Sequence, residues 1–85
     1  MGSYSVDIKR SAAKEIEDSP RKDRGRIIQR IRALADEPRP VGSQKLSARE
    51  AYRVRQGHYG IVFTVSDADR VVTIAAVAHR RDAYR

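Results

Sequence analysis

Residues 71–78 of this 85-residue chain read Val-Val-Thr-Ile-Ala-Ala-Val-Ala, eight positions with one hydroxyl and no charge. A run this short and this apolar, rich in β-branched residues and bounded by polar segments, reads as a buried strand. It predicts a central strand covered on both faces. A chain of this size has room for one thin core. The remaining elements must therefore be arranged around that strand.

The segments upstream alternate with period two. Residues 51–56, Ala-Tyr-Arg-Val-Arg-Gln, put Tyr52 and Val54 on one side and Arg53 and Arg55 on the other. Residues 59–65 put Tyr59, Ile61, Phe63 and Val65 on one face. Gly57-His58 supplies a hairpin turn and Asp67-Ala68-Asp69 the next one. Near the N-terminus, residues 4–9 form a first strand with Val6 and Ile8 inward. Ser11 is expected to cap a short helix carrying Ala12, Ala13 and Ile16. Ser19-Pro20 marks a restart, with Ser19 as N-cap and the proline in the first turn. Residues 21–36 carry Ile27, Ile28, Ile31, Leu34 and Ala35 on one helical face, and Pro38 and Pro40 end that helix. Residues 38–47 read as a loop anchored by Leu46. The expected architecture is α+β in the order βααβββ: a two-helix hairpin packed on a mainly antiparallel four-stranded sheet, with a short C-terminal tail. The first strand joins the sheet after the helices and can pair parallel to the last. Residues 1–85 form one domain.

The formal charge is +7, and 14 of the 18 cationic side chains are arginine. Arginine presents a planar fork of donors that matches phosphate geometry. Such a surplus speaks to partners rather than to fold. It suits a polyanion, either nucleic acid or an acidic protein that imitates it, and it equally suits a plain solvated surface. With no cysteine in the sequence, disulfides, thiolate metal ligands and thiol nucleophiles are excluded. No apolar run approaches the ~20 residues that span a bilayer, and residues 1–4 lack the apolar stretch of a signal peptide. A reducing cytoplasm is the expected compartment.

RNA can be cut without a metal. The 2′-oxygen attacks the adjacent phosphorus, the 5′-oxygen leaves, and the protein orients the backbone, stabilises added negative charge and moves protons. The 11 acidic residues fall mostly on helix surfaces and turns instead of clustering as metal catalysis requires. The expectation is a metal-independent reaction with no cofactor. Arg53 and Arg55, two apart on a strand, reach the same face about 6.5–7 Å from each other. There they can clamp neighbouring phosphates or, alternatively, serve as charges that blunt a strand edge. His79 can titrate near neutral pH or simply end a buried strand. Arginine stays protonated, which leaves Tyr84, His79 or a group outside the chain to remove the attacking proton.

The first strand with its helix hairpin, Lys45-Leu46 before Ala51-Tyr52-Arg53-Val54-Arg55, the hairpin from Gly57 to Phe63, and the ending His79-Arg80-Arg81-Asp82-Ala83-Tyr84-Arg85 together resemble the RelE/ParE toxin superfamily. The likeness covers essentially the whole chain, and the ending is its most specific piece. It implies a toxin of a type II toxin–antitoxin system, held inactive by a cognate antitoxin. In the RelE-like branch such a protein is a ribosome-dependent endoribonuclease acting on mRNA; in the ParE-like branch it poisons DNA gyrase. The resemblance assigns catalytic roles to Arg55, Arg80 and Tyr84, and RNA contacts to Lys45, Arg53, His79 and Arg81. One position departs from the pattern. Many RelE-like members carry an arginine in the second hairpin strand, where this chain has Gly60. Loss of one preorganised donor can cost about 10²–10³ in rate, so a catalytically weakened RelE-like toxin stands as an alternative beside the gyrase inhibitor.

Overall fold

The structure, a computed structural model, describes residues 3–46 and 51–79. The elements are β1 (Ser5–Ile8), α1 (Arg10–Asp18), α2 (Arg21–Ala33), β2 (Gln44–Lys45), β3 (Ala51–Gln56), β4 (Tyr59–Ser66) and β5 (Val71–His79). One sheet runs β1-β5-β4-β3-β2. The β1/β5 pair is parallel, as the chain order allows, and the other pairs are antiparallel. The sheet thus has five strands where four were expected. The extra one is β2, two residues of the anticipated loop that hydrogen-bond to β3, with Gln44 opposite Arg53 and Lys45 opposite Tyr52.

Both helices cover one face of the sheet. The core between them contains Ala12 and Ile16 of α1, Ile27 and Ile31 of α2, Leu34, and the inward residues Tyr52, Val54, Ile61, Phe63, Val65, Val72, Ile74 and Val77. Alternation along β3 and β4 is as the sequence predicts. For β5 the expectation of two covered faces is corrected. Val72, Ile74 and Val77 are buried, but Val71, Thr73, Ala76 and Ala78 on the other side are only half-buried. That side carries no helix, and its small side chains are sheltered by neighbouring strands.

A β-bulge interrupts β5. Val62 faces Ala76 while Phe63 faces Ile74, which leaves Ala75 as the additional residue. The bulge reverses the alternation, so that Val77 turns into the core and His79 falls beside Tyr59 on the helix-bearing side. Beyond the reach of β1, the Val77 N–H is taken up by a side chain: it donates to Glu15 Oε1 of α1 at 3.0 Å. A carboxylate thereby satisfies an edge donor that no strand reaches.

The helix junction also differs from expectation. Helix α1 starts at Arg10, and its N-cap, Lys9, makes no side-chain capping bond; Ser11 lies inside the helix. Ser19 closes α1 instead of opening α2, its hydroxyl donating back to the Ile16 carbonyl. Arg24 reinforces this closure by donating to the carbonyls of Glu17 and Ser19 at 2.9 and 3.2 Å. A hydroxyl three residues after an orphan carbonyl can bond backward as readily as forward. Helix α2 then begins after Pro20 and ends at Ala33, short of the expected Asp36, in a turn over residues 34–36.

The opposite end of the sheet is tied by ionic and aromatic contacts. Arg39 donates to both carboxylate oxygens of Asp67 at 3.1 and 2.9 Å and to the Tyr52 hydroxyl at 3.0 Å, with its guanidinium 5.4 Å from the Tyr52 ring centre. The Tyr4 hydroxyl also donates to Asp67, at 2.6 Å. The Arg39 and Tyr4 donors hold the Asp67 carboxyl below the usual carboxylate range, and the same bond to Asp67 raises the Tyr4 phenol above its ordinary value. A depressed folded-state pKa contributes stability that is present above the unfolded pKa and is lost as pH falls through the folded one. Thermal melts of the wild type and Asp67→Asn are therefore expected to differ most near neutral pH and to converge below pH ~4. A gap that persists unchanged at pH 2 would show that the aspartate acts through something other than its charge.

Candidate functional site

The helix-free face of the sheet is built by strand pairing. Residues directly opposite each other share a face. Gln44 pairs with Arg53, Arg53 with Val62, Arg55 with Gly60, Gly60 with Ala78 and Val62 with Ala76. The result is a floor of small side chains on β4 and β5, bordered on β3 by two arginines. Arg55 is exposed and Arg53 half-buried.

Gly60 lies under the Arg53 side chain, at distances that would also accommodate a Cβ. A Cβ placed there would sit 3.4 Å from Arg53 Cδ and 3.8 Å from Arg53 Cγ, because the arginine's methylene stem crosses the glycine diagonally. Arg53 Nη2 then donates to Gln44 Oε1 at 2.8 Å. The glutamine on β2 thereby fixes where the Arg53 head ends. Gly60 is thus partly covered by an arginine from the neighbouring strand.

The other expected site residues are distributed differently. Lys45 pairs with Tyr52 and His79 with Tyr59, so both belong by register to the opposite face from Arg53 and Arg55. The His79 ring packs edge-on against Tyr59 with centroids 5.1 Å apart and lies 6.0 Å from the His58 ring. It borders a cleft of about 270 Å³ shared with Glu15, Asp18 and Ser19. Arg80, Arg81 and Tyr84 lie outside the described residues. Among the described residues, no three His, Asp or Glu side chains converge as metal ligands, and no helix is long and apolar enough to cross a membrane.

Arg30 of α2 was not foreseen as a site residue. It lines an open cleft of about 380 Å³ together with Gly42, Gln44, Arg53, Val54 and Arg55. In the sequence it is one helix-surface arginine among several, and only the fold brings it to the edge of β3.

These features define a small basic α+β domain whose helix hairpin covers one sheet face and whose other face is bordered by strand arginines. The chain belongs to the ParE toxin family, described as the ParE toxin of the type II toxin–antitoxin system parDE, whose model matches residues 6–84. Solved structures agree on the fold. A chain of the RelBE2 toxin–antitoxin complex from Mycobacterium tuberculosis superposes with a TM-score of 0.78 at 20% identity, covering 91% of this chain and 98% of that one. A chain of the archaeal RelE–RelB complex from Pyrococcus horikoshii gives 0.80 at 24% identity, with 92% and 96% covered. The isolated RelE toxin of E. coli gives 0.80 at 19% identity, with 96% of each chain covered. Among curated protein sequences none matches the chain.

Proposed function

We propose that the protein is the toxin of a type II toxin–antitoxin pair and acts as a metal-independent, ribosome-dependent mRNA endoribonuclease. The observation that carries this reading is the placement of Arg53 and Arg55 side by side on a helix-free sheet face, above a floor of small residues on which a nucleotide backbone can lie. In this scheme the two strand arginines hold phosphates on either side of the cleaved bond. The 2′-oxygen attacks phosphorus, a 2′,3′-cyclic phosphate forms, and the 5′-oxygen departs with a proton. Arg80 adds positive charge against the pentavalent phosphorus, and Tyr84 stacks on a base or handles a proton. With His79 on the other face by register, proton removal falls to Tyr84 or to a ribosomal group.

The partner in this proposal is an acidic antitoxin that folds as it binds. An apolar groove of about 600 Å³, lined by Val6, Ile8, Ala13, Ile16, Ile28 and Ile31, offers it a seat on the helix-bearing side. Ile8 and Ile28 remain 43% and 37% exposed there.

A second reading rests on Gly60. Without the usual strand arginine, the same fold suits a gyrase poison of the ParE type, the branch from which the matching family takes its name. One experiment separates the two. The purified chain is incubated with mRNA, with and without programmed ribosomes, and new 5′ ends are mapped by primer extension. Cuts that require the ribosome support the nuclease. Intact mRNA beside a working control toxin, together with impaired supercoiling by gyrase, supports the poison.

A further inference from the structure

The cleft at the edge of β3 is lined by three arginines from two elements, Arg30 of α2 and Arg53 and Arg55 of β3. Strand β2 pairs only with Tyr52 and Arg53, so it does not cover the edge of β3 beside Val54 and Arg55. Gly42 and Gln44 border the space beside that edge, and Arg30 of α2 lines it. Gly42 has φ +95°, a conformation that bends the chain here and that other residues rarely adopt. Arg30 is half-buried, and its Nε, like that of Arg24, is enclosed by protein without a hydrogen-bond partner among the described residues, so only its terminal nitrogens can serve the cleft. Among the described residues no carboxylate lines the cleft.

We infer that this cleft is a phosphate-binding subsite, in which Arg30 takes a backbone phosphate of the RNA next to the pair held by Arg53 and Arg55. The inference rests on the nuclease reading for the identity of the polyanion. Arg30 here is a positioning residue, one phosphate beyond the pair that flanks the scissile bond, and it carries the strand off the small-residue floor and around the edge of the sheet. Gln44 contributes by accepting from Arg53 Nη2 at 2.8 Å, which fixes the position of that guanidinium at the border of the cleft. The volume of about 380 Å³ suits one phosphodiester with part of its ribose. The openness of the cleft suits a chain that passes through.

The test measures binding apart from cleavage. A short single-stranded RNA with a 2′-O-methylated backbone, which cannot react, is titrated by fluorescence polarisation at several salt concentrations. Arg30→Gln is compared with the wild type, and Arg30→Lys serves as the charge-preserving variant; thermal melts confirm that both are folded. Each phosphate contact on a single strand contributes about 0.7 to the slope of log affinity against log salt. Arg30→Gln is expected to lower that slope by about 0.7, and Arg30→Lys to keep it. An unchanged slope in Arg30→Gln overturns the subsite. So does an unchanged RNA slope combined with weaker binding of an acidic antitoxin peptide, which would assign the cleft to protein. If RNA binds with the expected slopes but programmed ribosomes show no cuts, the subsite stands and the nuclease reading falls.

Discussion

Arg55→Ala is expected to lower ribosome-dependent mRNA cleavage by about 10²–10³, the range for removing one preorganised charge-stabilising donor. The side chain is exposed and opposite a glycine, so nothing in the core depends on it. The thermal midpoint should therefore stay within a few degrees of the wild type, and the loss should fall on turnover. Arg55→Lys should recover part of the rate, because lysine keeps the charge but not the two-pronged geometry. Single-turnover cleavage on programmed ribosomes reads both variants. A loss below threefold in Arg55→Ala would remove Arg55 from the reacting site and leave it as a solubilising charge on a strand.

Phe63→Ala is expected to remove about half of the protein's stability and to lower its melting point by well over 10 °C. Phe63 is 0% exposed, sits in the middle strand of the five, and stacks on Tyr52 with ring centroids 5.8 Å apart. Truncating a buried phenylalanine costs about 3–5 kcal/mol. A domain of this size has a total stability of about 5–10 kcal/mol, and each 1 kcal/mol shifts the melting point by about 4–8 °C. The damage would spread, because Tyr52 loses its stacking partner and Arg39 holds the Tyr52 hydroxyl. Urea denaturation with circular dichroism checks this. An unfolding free energy lowered by under about 1 kcal/mol would mean that the core collapses around the gap more freely than its packing implies. Phe63→Leu should fold, at a smaller cost.

The order of elements was readable because the strong signals were local. Tyr52/Val54 against Arg53/Arg55, and the row Tyr59, Ile61, Phe63, Val65, each carry a period of two that survives into the fold. The parallel pairing of β1 with β5 followed from topology. What was not readable depended on long-range geometry. Gln44-Lys45 has no strand pattern of its own and becomes a strand only because β3 offers it an edge. Ser19 could bond in either direction, and the local sequence does not say which. The bulge at Ala75 reverses the facing of everything after Ile74, so the side on which His79 falls could not be counted from Val72. That the Arg53 stem lies over Gly60 depends on a diagonal cross-strand contact that neither segment encodes alone. Arg30 could not be distinguished from its neighbours on α2, because its environment is supplied by residues 12 to 25 positions further along the chain.

Strand β3 puts the oily and the cationic requirements on interleaved positions of one six-residue stretch, Tyr52 and Val54 on one parity and Arg53 and Arg55 on the other. Point changes at the odd positions are then free to drift with whatever target a lineage meets, at little cost to folding. Length is under the opposite pressure. Inserting or deleting one codon in this stretch would exchange the two sets at once, driving guanidinium groups into the interior and a tyrosine into water. Related toxins should therefore diverge in the chemistry of this strand while keeping its spacing fixed, and a survey of natural variants should find substitutions here and almost no gaps.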